Sequence, residues 1–129
     1  MTQKNKNIIG WIIGILVVVL IVVGIIWAAS RPGKLDAFAS CLEEKKAVFY
    51  GAFWCPHCQN QKAMFGSSQR KLPYIECSTP DGKGQLQICE DKQIDTYPTW
   101  IFEDGSRLSG EISLERLSEV TGCELPQNN

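Results

Sequence analysis

Ala47-Val48-Phe49-Tyr50-Gly51-Ala52-Phe53-Trp54-Cys55-Pro56-His57-Cys58-Gln59-Asn60-Gln61-Lys62 is the stretch that decides the fold. Ala47 to Ala52 is an apolar run of strand length, which predicts a buried strand. Gln59 to Phe65 reads as a helix that stops at Gly66. Between them, Cys55 and Cys58 sit where a strand gives way to a helix. A sulfur at such a junction lies beside unpaired backbone N–H groups and the positive end of the helix dipole. Those donors favour the thiolate, the form that attacks disulfides. Cys58, one turn later, is the expected resolving thiol, which attacks a mixed disulfide and frees the substrate.

Pro56 fixes φ and lacks an N–H, which suits the first turn of a helix. His57 is the only histidine in the chain. Its place between the cysteines lets it offer a hydrogen bond or a positive charge to the Cys55 thiolate, making the disulfide more oxidising. A solvated histidine with no electronic role is the plainer alternative. Forty residues after Cys58 comes Pro98, in Thr96-Tyr97-Pro98-Thr99. A cis bond there would set Pro98 against the sulfurs and leave backbone groups of Tyr97 free to pair with an extended peptide. A simple strand-entry proline is the other reading.

Around this centre the chain alternates strands and helices. Leu35, Phe38, Ala39 and Leu42 recur at helical spacing. Tyr74 to Cys77 reads as a strand, Ser78 to Gly84 as a turn-rich loop, and Gln85 to Lys92 as a short helix. Thr99 to Phe102 and Arg107 to Gly110 flank Glu103-Asp104-Gly105-Ser106, whose Asp-Gly step signals a hairpin. Ser113 is a plausible N-cap for a last helix carrying Leu114, Leu117 and Val120, with Gly122 just past its end. The fold class expected is α/β.

Ile8 to Ala29 holds 22 residues without a charge, enough to span roughly 33 Å as a helix. Trp11 and Trp27 lie near its ends, at headgroup level for a membrane span. A cleavable signal would have a shorter apolar region, of about 7 to 15 residues, so an uncleaved single-pass anchor is expected. Lys4 and Lys6 before it and Arg31 and Lys34 after it give the positive-inside rule little to act on. The cysteines favour an extracytoplasmic globular domain. The expected organisation is a short cytoplasmic N-terminus over 1–7, a bilayer anchor over 8–29, a linker over 30–34, the folded domain over 35–123 and a disordered tail over 124–129.

About 100 residues remain after the apolar stretch, enough for one compact domain. From Arg31 onward 11 Lys and Arg face 14 Asp and Glu with no long basic run, which argues against nucleic acid as a partner. Six cysteines in so small a domain, beside a membrane-targeting segment, suggest an oxidising compartment. Cys77 and Cys89 flank a Pro-, Asp- and Gly-rich loop and are the preferred structural disulfide. Closing that loop stabilises the domain by roughly 3 kcal/mol on the chain-entropy argument, whose mechanism is disputed. Cys41 and Cys123 form a second bridge, stay buried thiols or make an intermolecular contact; spacing alone leaves these open.

Trp54-Cys55-Pro56-His57-Cys58, the later Tyr97-Pro98-Thr99 and the order of elements resemble the thioredoxin superfamily over roughly Leu35 to Gly122. More narrowly, Tyr50 to Lys62 with Tyr97-Pro98-Thr99-Trp100 looks like the thioredoxin-like domains associated with bacterial vitamin K epoxide reductase homologues. Cys-Pro-His-Cys is also the active-site type of the periplasmic oxidase DsbA. The resemblance implies a thioredoxin-like fold, a central mixed sheet flanked by helices. It implies Cys55 as nucleophile, Cys58 as resolving cysteine and Pro98 as a cis-proline in a substrate groove that Trp54 and Tyr97 help to form. It also implies electrons passing from reduced or misoxidised extracytoplasmic proteins to a membrane redox partner. That partner would be a separate protein, such as a vitamin K epoxide reductase homologue, because one hydrophobic span cannot supply a multi-helix enzyme. No bound cofactor is implied, since the dithiol carries the electrons itself. The chain departs from thioredoxin in one respect: Ala47-Val48-Phe49-Tyr50 lacks the buried acid of that strand.

Oxidase, isomerase and reductase share these residues, and the oxidase direction is favoured by His57, by the missing acid and by the resemblance. A zinc module built on Cys55, Cys58, Cys77 and Cys89 is disfavoured by the wide spacing of the second pair; no metal is expected. A redox-inactive peptide-binding module is the remaining rival, and the intact Cys55 and Cys58 count against it.

Overall fold

The computed structural model describes residues 3–126. The chain divides into two units, Met1–Arg31 and Pro32–Asn129. The first is a single helix, α1 (Gln3–Ala29), whose apolar side chains are exposed along its length. Within it Asn5–Ala29 has a mean hydropathy of 3.2, long and apolar enough to cross a membrane. The helix begins before Ile8 and takes in residues 3–7. Its other end is marked by Arg31, whose guanidinium lies 4.4 Å above the Trp27 ring.

The second unit runs α2 (Asp36–Glu44), β1 (Val48–Gly51), α3 (Pro56–Ala63), a 3-10 segment (Gly66–Lys71), β2 (Tyr74–Glu76), α4 (Gln87–Asp91), β3 (Thr99–Ile101), β4 (Arg107–Ser109) and α5 (Leu114–Thr121). The four strands form one mixed sheet in the order β2-β1-β3-β4. β1 pairs parallel with β2 and antiparallel with β3, and β3 pairs antiparallel with β4. This is a thioredoxin-like arrangement, with the motif strand in the interior of the sheet.

Alternation along β1 explains its central place. Phe49 enters the main core with Phe38, Leu42, Phe65, Trp100 and Leu117. Tyr50 points to the other face, among Cys77, Cys89 and Ile94. With both faces covered, the strand has to be apolar throughout. Phe49 lies opposite Trp100 of β3 in the ladder, and their rings stack with centroids 5.1 Å apart.

Local chemistry sets the remaining ends. Gly105 takes φ +81 in the turn between β3 and β4, a conformation open to glycine. Ser113 caps α5 by accepting from the Arg116 N–H at 3.1 Å, and Gly122 ends that helix at φ 72. Cys41 on α2 and Cys123 after α5 form a disulfide with Cα atoms 5.8 Å apart, joining segments 82 residues apart in sequence. Leu125 packs against the main core. Of the tail expected over 124–129, residues 127–129 lie outside the described residues. The 3-10 segment was not foreseen: its polar run Gly66-Ser67-Ser68-Gln69-Arg70-Lys71 carries no helical apolar stripe.

Candidate active site

β1 leads through Ala52, Phe53 and Trp54 into Cys55, which is the N-cap of α3. Pro56 occupies the first turn. The Cys55 sulfur accepts from the Cys58 N–H at 3.4 Å, so the orphan donors of the helix end point at the sulfur. Cys55 and Cys58 are unpaired thiols, 5% and 0% exposed. The peptide bond between Tyr97 and Pro98 is cis, Pro98 is fully buried, and the Tyr97 carbonyl oxygen lies 3.8 Å from the Cys55 sulfur. Two segments about 40 residues apart in sequence thus meet at one sulfur.

Trp54 and Tyr97 flank that sulfur, their rings edge to face with centroids 6.0 Å apart. Trp54 Nε1 donates to Ser78 Oγ at 2.8 Å, and Tyr97 Oη accepts from Gln85 Nε2 at 2.6 Å. Ser78 and Gln85 belong to the loop closed by Cys77 and Cys89, a disulfide with Cα atoms 5.6 Å apart. Two of its four proposed zinc ligands being joined covalently, the zinc arrangement is not formed. The stapled loop instead holds both aromatic side chains in place. The half-exposed Phe53 and Trp54 then offer apolar surface beside the sulfur.

Cys58 is close-packed from behind. A Cβ on Gly51 would lie 2.8 Å from the Cys58 sulfur and 3.1 Å from Tyr74 Cε2, so only glycine lets the thiol, the ring and β1 approach this closely. Burial is the main cause that pushes the Cys58 thiol up to about 12, with the bond to Cys55 adding to it. Lys62 Nζ stands 3.4 Å from the Tyr74 ring centroid, Tyr74 Oη donates to Glu76 Oε2 at 2.7 Å, and Glu76 Oε1 accepts from the backbone N–H groups of Phe53 at 3.2 Å and Ser78 at 2.9 Å. Burial lowers the Lys62 pKa and raises that of Tyr74. β1 contributes no acid, but β2 brings a carboxylate to the neighbourhood, and the sequence reading missed it.

His57 differs from expectation. Its imidazole is largely exposed, and Nδ1 lies 2.6 Å from Glu111 Oε1, which also accepts from Asn60 Nδ2 at 3.0 Å. Its hydrogen bond therefore goes to a carboxylate on the segment after β4 and not to the Cys55 sulfur. These bonds, that from His57 first, hold Glu111 below the usual carboxylate range. The same segment is clamped to α3 by fully buried Gln61, which donates to the Ile112 carbonyl at 2.9 Å and accepts from its N–H at 2.7 Å. Neither Glu111 nor Gln61 carries a sequence signal of its own; both act across 50 or more positions.

No family model matches the chain. It is 49% identical over 107 residues to the thiol-disulfide oxidoreductase LTO1 of Arabidopsis thaliana, a match covering 79% of this chain and 28% of that protein. It is 29% identical over 83 residues to the thioredoxin domain-containing protein 5 homolog of Drosophila melanogaster, covering 56% of this chain and 19% of that protein. The chain thus spans less than a third of the length of either relative. Sheet topology and a dithiol at a helix N-terminus facing a cis-proline give the globular part of the chain a thioredoxin-like fold, and its sequence is similar to that of a thiol-disulfide oxidoreductase.

Proposed function

We propose that the chain is a membrane-anchored thiol–disulfide oxidoreductase that promotes disulfide formation in extracytoplasmic proteins. The observation that carries this reading is the Cys55 sulfur at the α3 N-cap, beside the Tyr97 carbonyl and cis-Pro98, with Cys58 one turn behind it. In the oxidising direction a substrate thiolate attacks the Cys55 sulfur of the Cys55–Cys58 disulfide. A mixed disulfide forms and Cys58 leaves with the electron pair. Because the Cys58 thiol titrates at about 12, it takes up a proton as it leaves. A second substrate thiolate then attacks its own chain's sulfur in the mixed disulfide, expelling the Cys55 thiolate. Two electrons have moved to the dithiol, and the substrate has gained a disulfide.

A separate membrane protein, such as a vitamin K epoxide reductase homologue, would accept those electrons. α1 would hold the chain in the cell membrane as a single-pass anchor with the globular unit outside. Extended peptide would lie across Trp54, Tyr97 and Pro98. The printed name of the Arabidopsis relative supports exchange chemistry without giving its direction. A reductase is the second reading, and the His57–Glu111 pair favours it, because the carboxylate offsets charge that would stabilise the reduced site.

The test is single-turnover oxidation. The full chain in detergent micelles, oxidised at Cys55–Cys58, is mixed with a reduced peptide carrying two cysteines, and products are followed by mass. Peptide disulfide should appear with loss of one protein disulfide, and Cys55→Ser should abolish it. Peptide that stays reduced would reject the oxidase reading.

A further inference from the structure

Glu111 has no part in the exchange reaction as written, yet its carboxylate is held by two side chains of the active-site helix. We infer that Glu111 tunes the dithiol site: its carboxylate, held beside His57 on the first turns of α3, disfavours the reduced form of Cys55. The inference deepens the proposed exchange at Cys55 and Cys58 and rests on it.

The carboxylate is fixed from both sides. Before it, the Gly110 N–H donates to the Pro98 carbonyl at 2.9 Å, and Gly110 takes φ +92. After it, Ile112 exchanges two hydrogen bonds with the buried Gln61 side chain of α3. Glu111 is thus carried on a bridge between the cis-proline and the active-site helix. From there Oε1 meets His57 at 2.6 Å and Asn60 at 3.0 Å, both on the first turns of α3. The Glu111 side chain is 30% exposed against 69% for His57, so the carboxylate is the more buried partner.

Charge gives the sign. With Glu111 ionised, the pair is neutral when His57 is protonated and negative when it is not. Glu111→Gln leaves a site that is more positive by one unit at either protonation state of His57 when that state is the same in both proteins, and never more negative. Positive charge near the sulfur stabilises the thiolate and hence the reduced site. Removing the carboxylate therefore makes the disulfide more oxidising. The two hydrogen bonds hold Glu111 below the usual carboxylate range, which favours its ionised form at pH 6.

The experiment equilibrates the full chain in detergent micelles with glutathione at pH 6, quenches with acid and reads the Cys55–Cys58 redox state by mass after alkylation. Glu111→Gln should shift the equilibrium toward the reduced dithiol on the order of fivefold, from one unit charge at several ångströms in a screened site. That corresponds to about 20 mV for two electrons. In a His57→Ala background the same substitution removes the same negative charge and should still shift it in the same direction. Asn60→Ala removes the other hydrogen bond without changing charge and should leave the potential in place. It provides the check if Glu111→Gln folds poorly, because a merely structural role predicts that Asn60→Ala moves the potential too.

An unchanged equilibrium in Glu111→Gln overturns the inference, and so does a shift that disappears without His57. A parent chain whose Cys55 and Cys58 fail to equilibrate with glutathione sinks the exchange reading and this inference together. A parent that equilibrates normally beside an unmoved Glu111→Gln sinks the inference alone.

Discussion

Gly51→Ala tests the packing behind Cys58 most sharply. The added methyl would sit 2.8 Å from the Cys58 sulfur, 3.1 Å from Tyr74 Cε2 and 3.4 Å from Cys58 Cβ. None of these neighbours is a flexible surface tip: Cys58 is fully buried and Tyr74 is held by Glu76. Overpacking of this kind costs about 1–3 kcal/mol. The gain from replacing a strand glycine by alanine, about 0.5–1 kcal/mol, offsets part of it. The net expectation is a loss of about 1–2 kcal/mol, or a fall of very roughly 5–15 °C in the melting temperature of a domain near 100 residues. Thermal unfolding followed by near-UV circular dichroism of the reduced chain in micelles measures it. Since the sulfur itself must move, attack of Cys58 on a Cys55–glutathione mixed disulfide should also slow. A variant within about 0.3 kcal/mol of the parent, with Cys58 attack unchanged, would refute the reasoning from close approach.

Three further outcomes are expected. Gln61→Ala leaves the Ile112 N–H and carbonyl without their buried partner and should cost about 2–4 kcal/mol, read by urea unfolding; a loss under about 0.5 kcal/mol would mean that water replaces the clamp. Cys77→Ser with Cys89→Ser opens the 12-residue staple and should cost about 3 kcal/mol by urea unfolding. It should also slow peptide oxidation, because Ser78 and Gln85 no longer hold Trp54 and Tyr97. The Cys58 thiol is raised in the fold to about 12 from the ordinary 9.0, so the folded state favours the protonated thiol. That contribution is fully present below pH 9.0 and is lost as pH rises toward 12. The reduced chain should therefore lose urea stability over that window faster than the Cys55–Cys58 disulfide form, which has no such thiol; parallel losses in the two forms would contradict the assignment.

What was legible in the sequence was local. The apolar run at 47–52 meeting Cys55, the Asp104-Gly105 turn and the Ser113 cap each carry their signal within a few residues, and each maps onto an observed element. The Cys41–Cys123 bridge was open because spacing cannot bring α2 and α5 together; the fold does. Glu111, Gln61, Tyr74 and Glu76 were invisible for the same reason. Their partners lie on other elements, and a lone polar residue in a loop or short strand has no periodicity to mark it. His57 was noticed, but its partner Glu111 lies on the segment after β4, 54 positions away.

The reduction potential of the Cys55–Cys58 pair tests the central proposal most directly. It is measured on the full chain in micelles at pH 7 by glutathione titration, with alkylation and mass readout. A disulfide that passes oxidising power to folding clients should give a value toward about −120 mV; a value near −270 mV would contradict the oxidase account and identify a reductase fed by an electron donor.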